Sequence, residues 1–593
     1  MGAGGDMTAP KWDLEIIYPG GPAADSFLAT LDALEASAAE MITRTDSLPE
    51  LREDTPLWAA TIVSMNRLQE DSRVAGVFAG CHSSADAQSL DAVHAVSRTS
   101  ALSSAVQRAW VPVLGTIATC GQDAFDALVA EPALADFLPR LHWVRKNRHT
   151  LLPPAEAGLA VELAKDGIHA WNRLYNRLSG TLMVTLPDGR QLSMSQAQNL
   201  TSSGDPEQRG VAFAARLSGW TTVADTCATA LSHIVGTRLT LNRRRGVSIL
   251  SDTLARSRMS EATLEAMLEA SRRAAPTLKR YLKAKAQLLG RDQLRWEDQG
   301  APVGEIGSTD WDSATAFIEE HFRSWSPELG DYAARAIRDR WIEAEDRPHK
   351  RPGGWCASVP TPPGASRIFM TFGETFRSTV TLAHELGHGY HNHVLRTVPP
   401  SRRHVPSTLA ETASVFAENI VRDAALAAAQ SDSARLAMLD ARLSSGVSML
   451  MNIPFRYQLE RKLYGLREKG ELRVEDLNAL TVETQREAYV DSLESWHPLF
   501  WAEKLHFYIS SFAFYNYPYT YGYLFSTLVY QHARQQGPDF IERYDDLLRR
   551  TAWEDAEPLA QQFLGIDLTD PDAWYAGAAP LEADLDAFLT LVQ

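Results

Sequence analysis

Cysteine is scarce in this 593-residue chain. The four present, Cys81, Cys120, Cys227 and Cys356, stand far apart and form no C-x-x-C pair. That spacing argues against a disulfide framework and against a thiolate zinc site, and it fits a reducing compartment. No uninterrupted apolar run approaches the eighteen residues needed to cross a bilayer. The opening, MGAGGDMTAPKWDLEIIYPGG, has neither the basic nor the apolar region of a secretory signal, and Asp6 stands where a myristoylation signal wants Ser or Thr. The expected location is therefore cytoplasmic. Basic excess is also missing. The formal net charge is −16, which repels phosphate backbones and anionic lipid and makes nucleic-acid and membrane partners unexpected. Repeats of fixed period and low-complexity tracts are absent.

What is present is helical periodicity. From Ser26 to Thr43 the residues Leu28, Leu31, Leu34 and Met41 recur at three- and four-residue steps or their multiples. Leu264, Met267, Leu268, Leu278, Tyr281 and Leu282 do the same between Ser260 and a stop at Gly290. Ser326-Pro327 predicts the start of a helix running towards Glu345. Strand signals are few. Residues 180–194 predict a hairpin turning at Pro187-Asp188-Gly189, and 366–372 (SRIFMTF) predict a strand. Two Pro-rich stretches, 347–366 and 396–407, predict loops. A boundary near residue 200 divides an N-terminal helical region with its hairpin (1–200) from a catalytic region (201–593).

The segment TLAHELGHGYHNH carries the chemistry. On a helix His384 and His388 share a face one turn apart, so both imidazoles reach a single ion. Zn²⁺ suits neutral imidazole and leaves room for a third protein ligand and a water. Glu385 lies beside the pair, placed to take a proton from that water as general base. The upstream Val380, Leu382 and Ala383 predict a buried helix. A third histidine in the metzincin pattern is excluded, because His391 and Val394 occupy the positions where Gly and His are required. A carboxylate from a second helix remains, and STLAETASVFAENI supplies Glu411. Glu418 lies seven residues later on the same face, a candidate to orient a ligand histidine. His391 and His393 are expected to serve packing or the surface.

These motifs resemble the oligoendopeptidase F group of the thimet-oligopeptidase-like zinc metallopeptidases. KWDLEIIYPGG, the Asp-Gly hairpin, SGDPEQRGVAF (203–213) and LHFYISSFAFYNYPYTYGYLFS (505–526) extend the resemblance over nearly the whole chain. It implies a mainly α, two-lobed, mostly helical body with a small β-sheet beside the site helix and a deep substrate channel. It also implies one Zn²⁺ per chain and cleavage of internal bonds in short peptides. Residue by residue, His506 and Tyr523 (after Gly522) match groups that stabilise the oxyanion, while Thr520 stands where animal relatives have tyrosine and Tyr519 is its expected substitute. Gly354 is expected against the substrate backbone, with Tyr508, Tyr515 and Tyr519 lining the substrate. A zinc exopeptidase and an inactive peptide-binding protein remain as alternatives, and the sequence leaves the oligomeric state open.

Overall fold

The computed structural model describes residues 9–305, 307–351, 353–537 and 539–592; the opening residues, Asp6 included, lie outside them. Three long helices begin the chain: α1 (Asp25–Asp46), α2 (Thr55–Ala85) and α3 (Leu90–Thr119). Asp54 and Ser89 cap the second and third by accepting the amides of Leu57 and Ala92. Their apolar faces form a core of their own, from Ala38 to Val144. A second and much larger core runs from Ile168 to Phe588. It includes the helix before the predicted hairpin, whose strands β1 (Met183–Thr185) and β2 (Gln191–Ser193) pair antiparallel around Gly189 at φ +87°. Two long helices, α4 (Pro206–Arg245) and α5 (Glu261–Leu288), run through this core. Ser260 caps α5 and Gly290, at φ +71°, follows its end, as the periodicity predicts. The chain is mainly helical, and no helix among the described residues is long and apolar enough to cross a membrane.

The helix that starts at Pro327 ends at Arg338, short of the expected Glu345. Arg340 takes φ +53° and turns the chain into strand β3 (Ile342–Glu343), which a helix continuing through these residues would have prevented. Part of the expected 347–366 loop is likewise strand. Here β4 (Trp355–Val359) pairs antiparallel with β5 (Ala365–Phe369), which pairs parallel with β3 on its other side. The central β5 is buried along its whole length, Ser366 and Arg367 included, while β4 forms one edge. The N-terminal KWDL segment closes over this sheet. Trp12 packs on Trp355 and Phe369, the Trp12 amide donates to Glu343, and Arg367 donates to the Asp13 carbonyl.

Directly after the sheet comes α6 (Phe376–Val394), capped by Thr375 and buried on the face carrying Val380, Leu382, Ala383 and Leu386. It lies against α7 (Thr412–Ala428). Next follow α8 (Asp432–Val447), a π-helical turn at Ser448–Asn452, and α9 (Ile453–Lys469). Helices α10 (Tyr517–Gln536) and α11 (Pro580–Val592) complete the surroundings of the site.

Candidate metal centre and active site

Two helices must approach closely to bring the candidate ligands together, and Gly387 allows it. A Cβ at that position would stand 2.6 Å from the Ala413 carbonyl oxygen and 2.7 Å from the Ser414 Cα, both backbone atoms of the facing segment. With that face bare, His384 and His388 of α6 meet Glu411, which stands just ahead of α7. The two Nε2 atoms are 3.1 Å apart, and Glu411 Oε2 lies 3.4 Å from one and 3.3 Å from the other. Gly522 of α10 packs on the Glu411 side chain from behind, where a Cβ would overlap it. The Ser414 hydroxyl donates to Glu411 Oε2 at 2.8 Å, and the Ser526 hydroxyl donates to its backbone carbonyl. Three donor atoms thus converge on one point from two segments, a set of two imidazoles and one carboxylate that fits zinc.

Glu418 extends this arrangement outward. Its Oε1 accepts the Nδ1 proton of His384 at 2.6 Å, so that in the neutral ring the Nε2 lone pair faces the other two ligands. Its Oε2 accepts two bonds from Arg422, one turn further along α7. Burial opposes the charged imidazole of His384, but Glu418, Glu411 and Glu385 outweigh it and raise the pKa to about 9. Burial also pushes Glu411 up. His388, His384 and the Ser414 hydroxyl more than reverse that and hold it at about 2. This separation is what a cation-seeking set of ligands produces when the histidines themselves supply the positive charge.

Glu385 points elsewhere. It is 5% exposed, and its Oε2 has no hydrogen-bond partner among the described residues. Burial raises its pKa against the pull of His384 and His388. A Cβ on Gly354 would stand 2.9 Å from Glu385 Oε1, so the bare backbone ahead of β4 sits next to this carboxylate.

A cavity of about 220 Å³ opens beside His384 and Glu411, lined also by Glu418, Arg422, Tyr519 and Tyr523 among others. Tyr523 is protonated at neutral pH, its pKa raised to about 12 by burial and Asp584. His506 does not line this cavity. It adjoins Tyr519, the ring centroids 5.9 Å apart, and Tyr515, at 5.5 Å. Burial and the cations Arg456 and Lys504 lower His506 to about 4, so it is neutral. Tyr508 is not brought to the site. Expected at the substrate, it is fully buried and stacked on Tyr175 with centroids 3.6 Å apart. The chain from Leu505 to Asn516 is a 3₁₀ turn and a loop, with Phe514 at φ +53°, so Tyr508 does not share a helix face with Tyr519 and Tyr523.

A family model described as peptidase family M3 matches residues 316–579, spanning the α6–α7 ligand pair and the tyrosine segment. A second, described as Oligopeptidase F, matches residues 117–183. The chain belongs to peptidase family M3. Among curated family members, a plasmid-encoded oligoendopeptidase F of Lactococcus lactis subsp. cremoris is 26% identical over 412 residues, 68% of this chain and 67% of that protein. Group B oligopeptidase PepB of Streptococcus agalactiae is 26% identical over 319 residues, 53% of this chain and 52% of that protein. A putative peptidase from Chlamydophila abortus shares the fold at a TM-score of 0.78 and 16% identity, covering 98% of both chains. Oligoendopeptidase-F from Enterococcus faecium does so at 0.73 and 18%, covering 95% of this chain and 99% of that one.

Several groups around this M3 site are not apparent from sequence. Arg422 could have been found, since it follows Glu418 by four residues on a helix, the spacing of an ion pair. Ser414, Arg442, Asp584 and the π-helical turn carry no such local signal. His391 and His393 take packing roles: His391 meets the Leu548 carbonyl and the Thr551 hydroxyl, and His393 bonds Glu328 and Arg335.

Proposed function

We propose that the protein is a zinc-dependent endopeptidase that hydrolyses internal bonds of short peptides. The observation carrying this reading is the convergence of His384, His388 and Glu411 beside a buried carboxylate, Glu385, whose Oε2 is unpartnered. His384 and His388, through Nε2, and Glu411 would hold Zn²⁺. When bound, the ion supplies Lewis acidity to the scissile carbonyl and lowers the pKa of water towards neutrality. Glu385 takes the proton of the attacking water and passes it to the leaving amine. A carboxyl raised in pKa by burial is suited to holding that proton between the two steps. Glu418 keeps the His384 proton on Nδ1, and Arg422 holds Glu418 in turn. The Tyr523 hydroxyl, with His506 as a second donor, stabilises the charge that develops on the carbonyl oxygen. Gly354 and the edge strand β4 receive the peptide in extended form by backbone pairing, and Tyr515 and Tyr519 line its path.

The names of the matched relatives support oligopeptides as the substrates, and membership of family M3 supports the metal. The test is digestion of a peptide mixture of graded length, with and without a zinc chelator, read by mass spectrometry. Internal cuts that stop on chelation and return with zinc are expected, with long chains spared. An end-blocked, internally quenched peptide left intact while free termini are trimmed would replace this reading with an exopeptidase.

A further inference from the structure

The chain is acidic overall, yet one end of the site carries an excess of half-buried positive charge. Arg456 of α9 and Lys504 both lie against Phe500, the guanidinium carbon 5.4 Å and the ammonium 5.2 Å from its ring centroid. Glu503 is the carboxylate these cations share, and it is already engaged: Arg216 donates to its Oε2, the His497 ring bonds the same oxygen at 2.9 Å, and Lys504 is 3.8 Å from Oε1. Arg456 therefore has no carboxylate of its own among the described residues. Its Nε donates to Asn452 Oδ1 at 2.8 Å, and the rest of the guanidinium makes no hydrogen bond among the described residues.

Burial disfavours the charged form of Arg456 and of Lys504; Glu503 offsets part of this at both, and repulsion from Arg456 adds to it at Lys504. Even a half-buried cation without an anion is costly, and a bound carboxylate would supply the missing charge. The position suits a ligand. Lys504 is two residues ahead of His506, whose ring centroid lies 5.9 Å from that of Tyr519, and Tyr519 lines the cavity beside the metal ligands; both cations also lower the pKa of His506. The guanidinium is also held in place, since Asn452 ends the π-helical turn and its amide donates to the Tyr489 hydroxyl.

We propose that Arg456 and Lys504 form an anion subsite at the His506 end of the site, which takes a carboxylate of the bound peptide, either its free C-terminus or an acidic side chain. Two N–H donors of the Arg456 guanidinium match the two oxygens of a carboxylate, with Lys504 as a second charge. This subsite rests on the peptidase reading and adds a substrate preference to it.

The experiment uses one scissile sequence in four forms: a free C-terminal acid, the C-terminal amide, and amides carrying Glu or Gln downstream of the cut. Zinc-loaded wild type, Arg456→Gln, Arg456→Lys and Lys504→Met are compared by KM and kcat, with melting curves to check folding. Binding of the same peptides to the Glu385→Gln protein, with and without Arg456→Gln, is measured by calorimetry, which reads the subsite whether or not a bond is cut. The wild type should favour a carboxylate form over its neutral partner by about ten-fold or more, mainly in KM. Arg456→Gln should bring that ratio close to one, and Arg456→Lys should restore part of it. A preference for acid over amide identifies the C-terminus, and one for Glu over Gln identifies a side chain. Equal binding and turnover of all four forms, or a ratio that survives Arg456→Gln, overturns the subsite. A binding preference with no cleavage of any form would leave the subsite standing and overturn the peptidase reading instead.

Discussion

Glu385 and Glu411 are carboxylates of one buried cluster with opposite electrostatics. Glu411 is surrounded by two imidazoles and a hydroxyl and is held ionised, whereas Glu385 is raised by burial and keeps one oxygen free. The division follows from position on α6: Glu385 is one residue on from His384 and so points off the ligand face. Replacing it by Gln preserves shape and removes only the proton acceptor. Glu385→Gln should retain about one zinc per chain, measured by atomic emission, and lose about 10²–10⁴-fold in kcat. Near-normal turnover would remove Glu385 from the mechanism. Which aromatic residues face the site is also a residue-scale matter. Tyr519 and Tyr523 line the cavity and Tyr508 stacks in the core, a difference invisible in a run where every second or third residue is aromatic.

Among the elements, the α6–α7 pair matters most. Its spacing is set by Gly387, lying between the two histidines in sequence but facing the opposite helix rather than the metal. Gly387→Ala should force the helices apart or strain them, at a cost of about 1–3 kcal/mol. It should also weaken zinc binding, because Glu411 reaches the histidines only through this contact. Melting temperature and a competitive zinc titration check both, and an unchanged zinc affinity would show that Glu411 adjusts independently of the helix spacing. Long amphipathic helices such as α1 and α5 were legible in the sequence because their signal is local and repeated over many residues. The strands β3 and β4 were not. β3 has two residues and β4 lies within a Pro-rich stretch, and both exist because β5 offers them backbone partners.

At the scale of the whole molecule, the large core contains ionisable groups outside the proposed chemistry. Glu460 is 3% exposed, and burial raises it to about 7 despite Arg238 at 3.7 Å and the Phe514 amide at 2.7 Å. A folded-state pKa above the ordinary carboxylate value contributes stability that is fully present below that ordinary value and is lost as pH rises through about 7. The loss is on the order of 3 kcal/mol for a shift of this size. Glu460→Gln should therefore gain in melting temperature relative to wild type as pH is raised from about 5 to 8. A difference that stays flat with pH would show that this carboxyl does not titrate there.

The sequence by itself determined the residues that depend on local geometry. His384, Glu385 and His388 follow from the pitch of one helix, and a carboxylate near residue 411 follows from the failure of the third-histidine pattern. The resemblance to oligoendopeptidase F extended this to the aromatic segment and the mainly helical fold. Only the tertiary structure decided what passes between elements: that Glu418 holds His384, that Arg422 holds Glu418, that Gly522 makes room for Glu411, and that Arg456 and Lys504 meet beside Phe500. The physical reason is range. Helix periodicity repeats every few residues, whereas a contact across 34 residues, as between His384 and Glu418, or across 44, as between Arg456 and Phe500, exists only once the chain has packed.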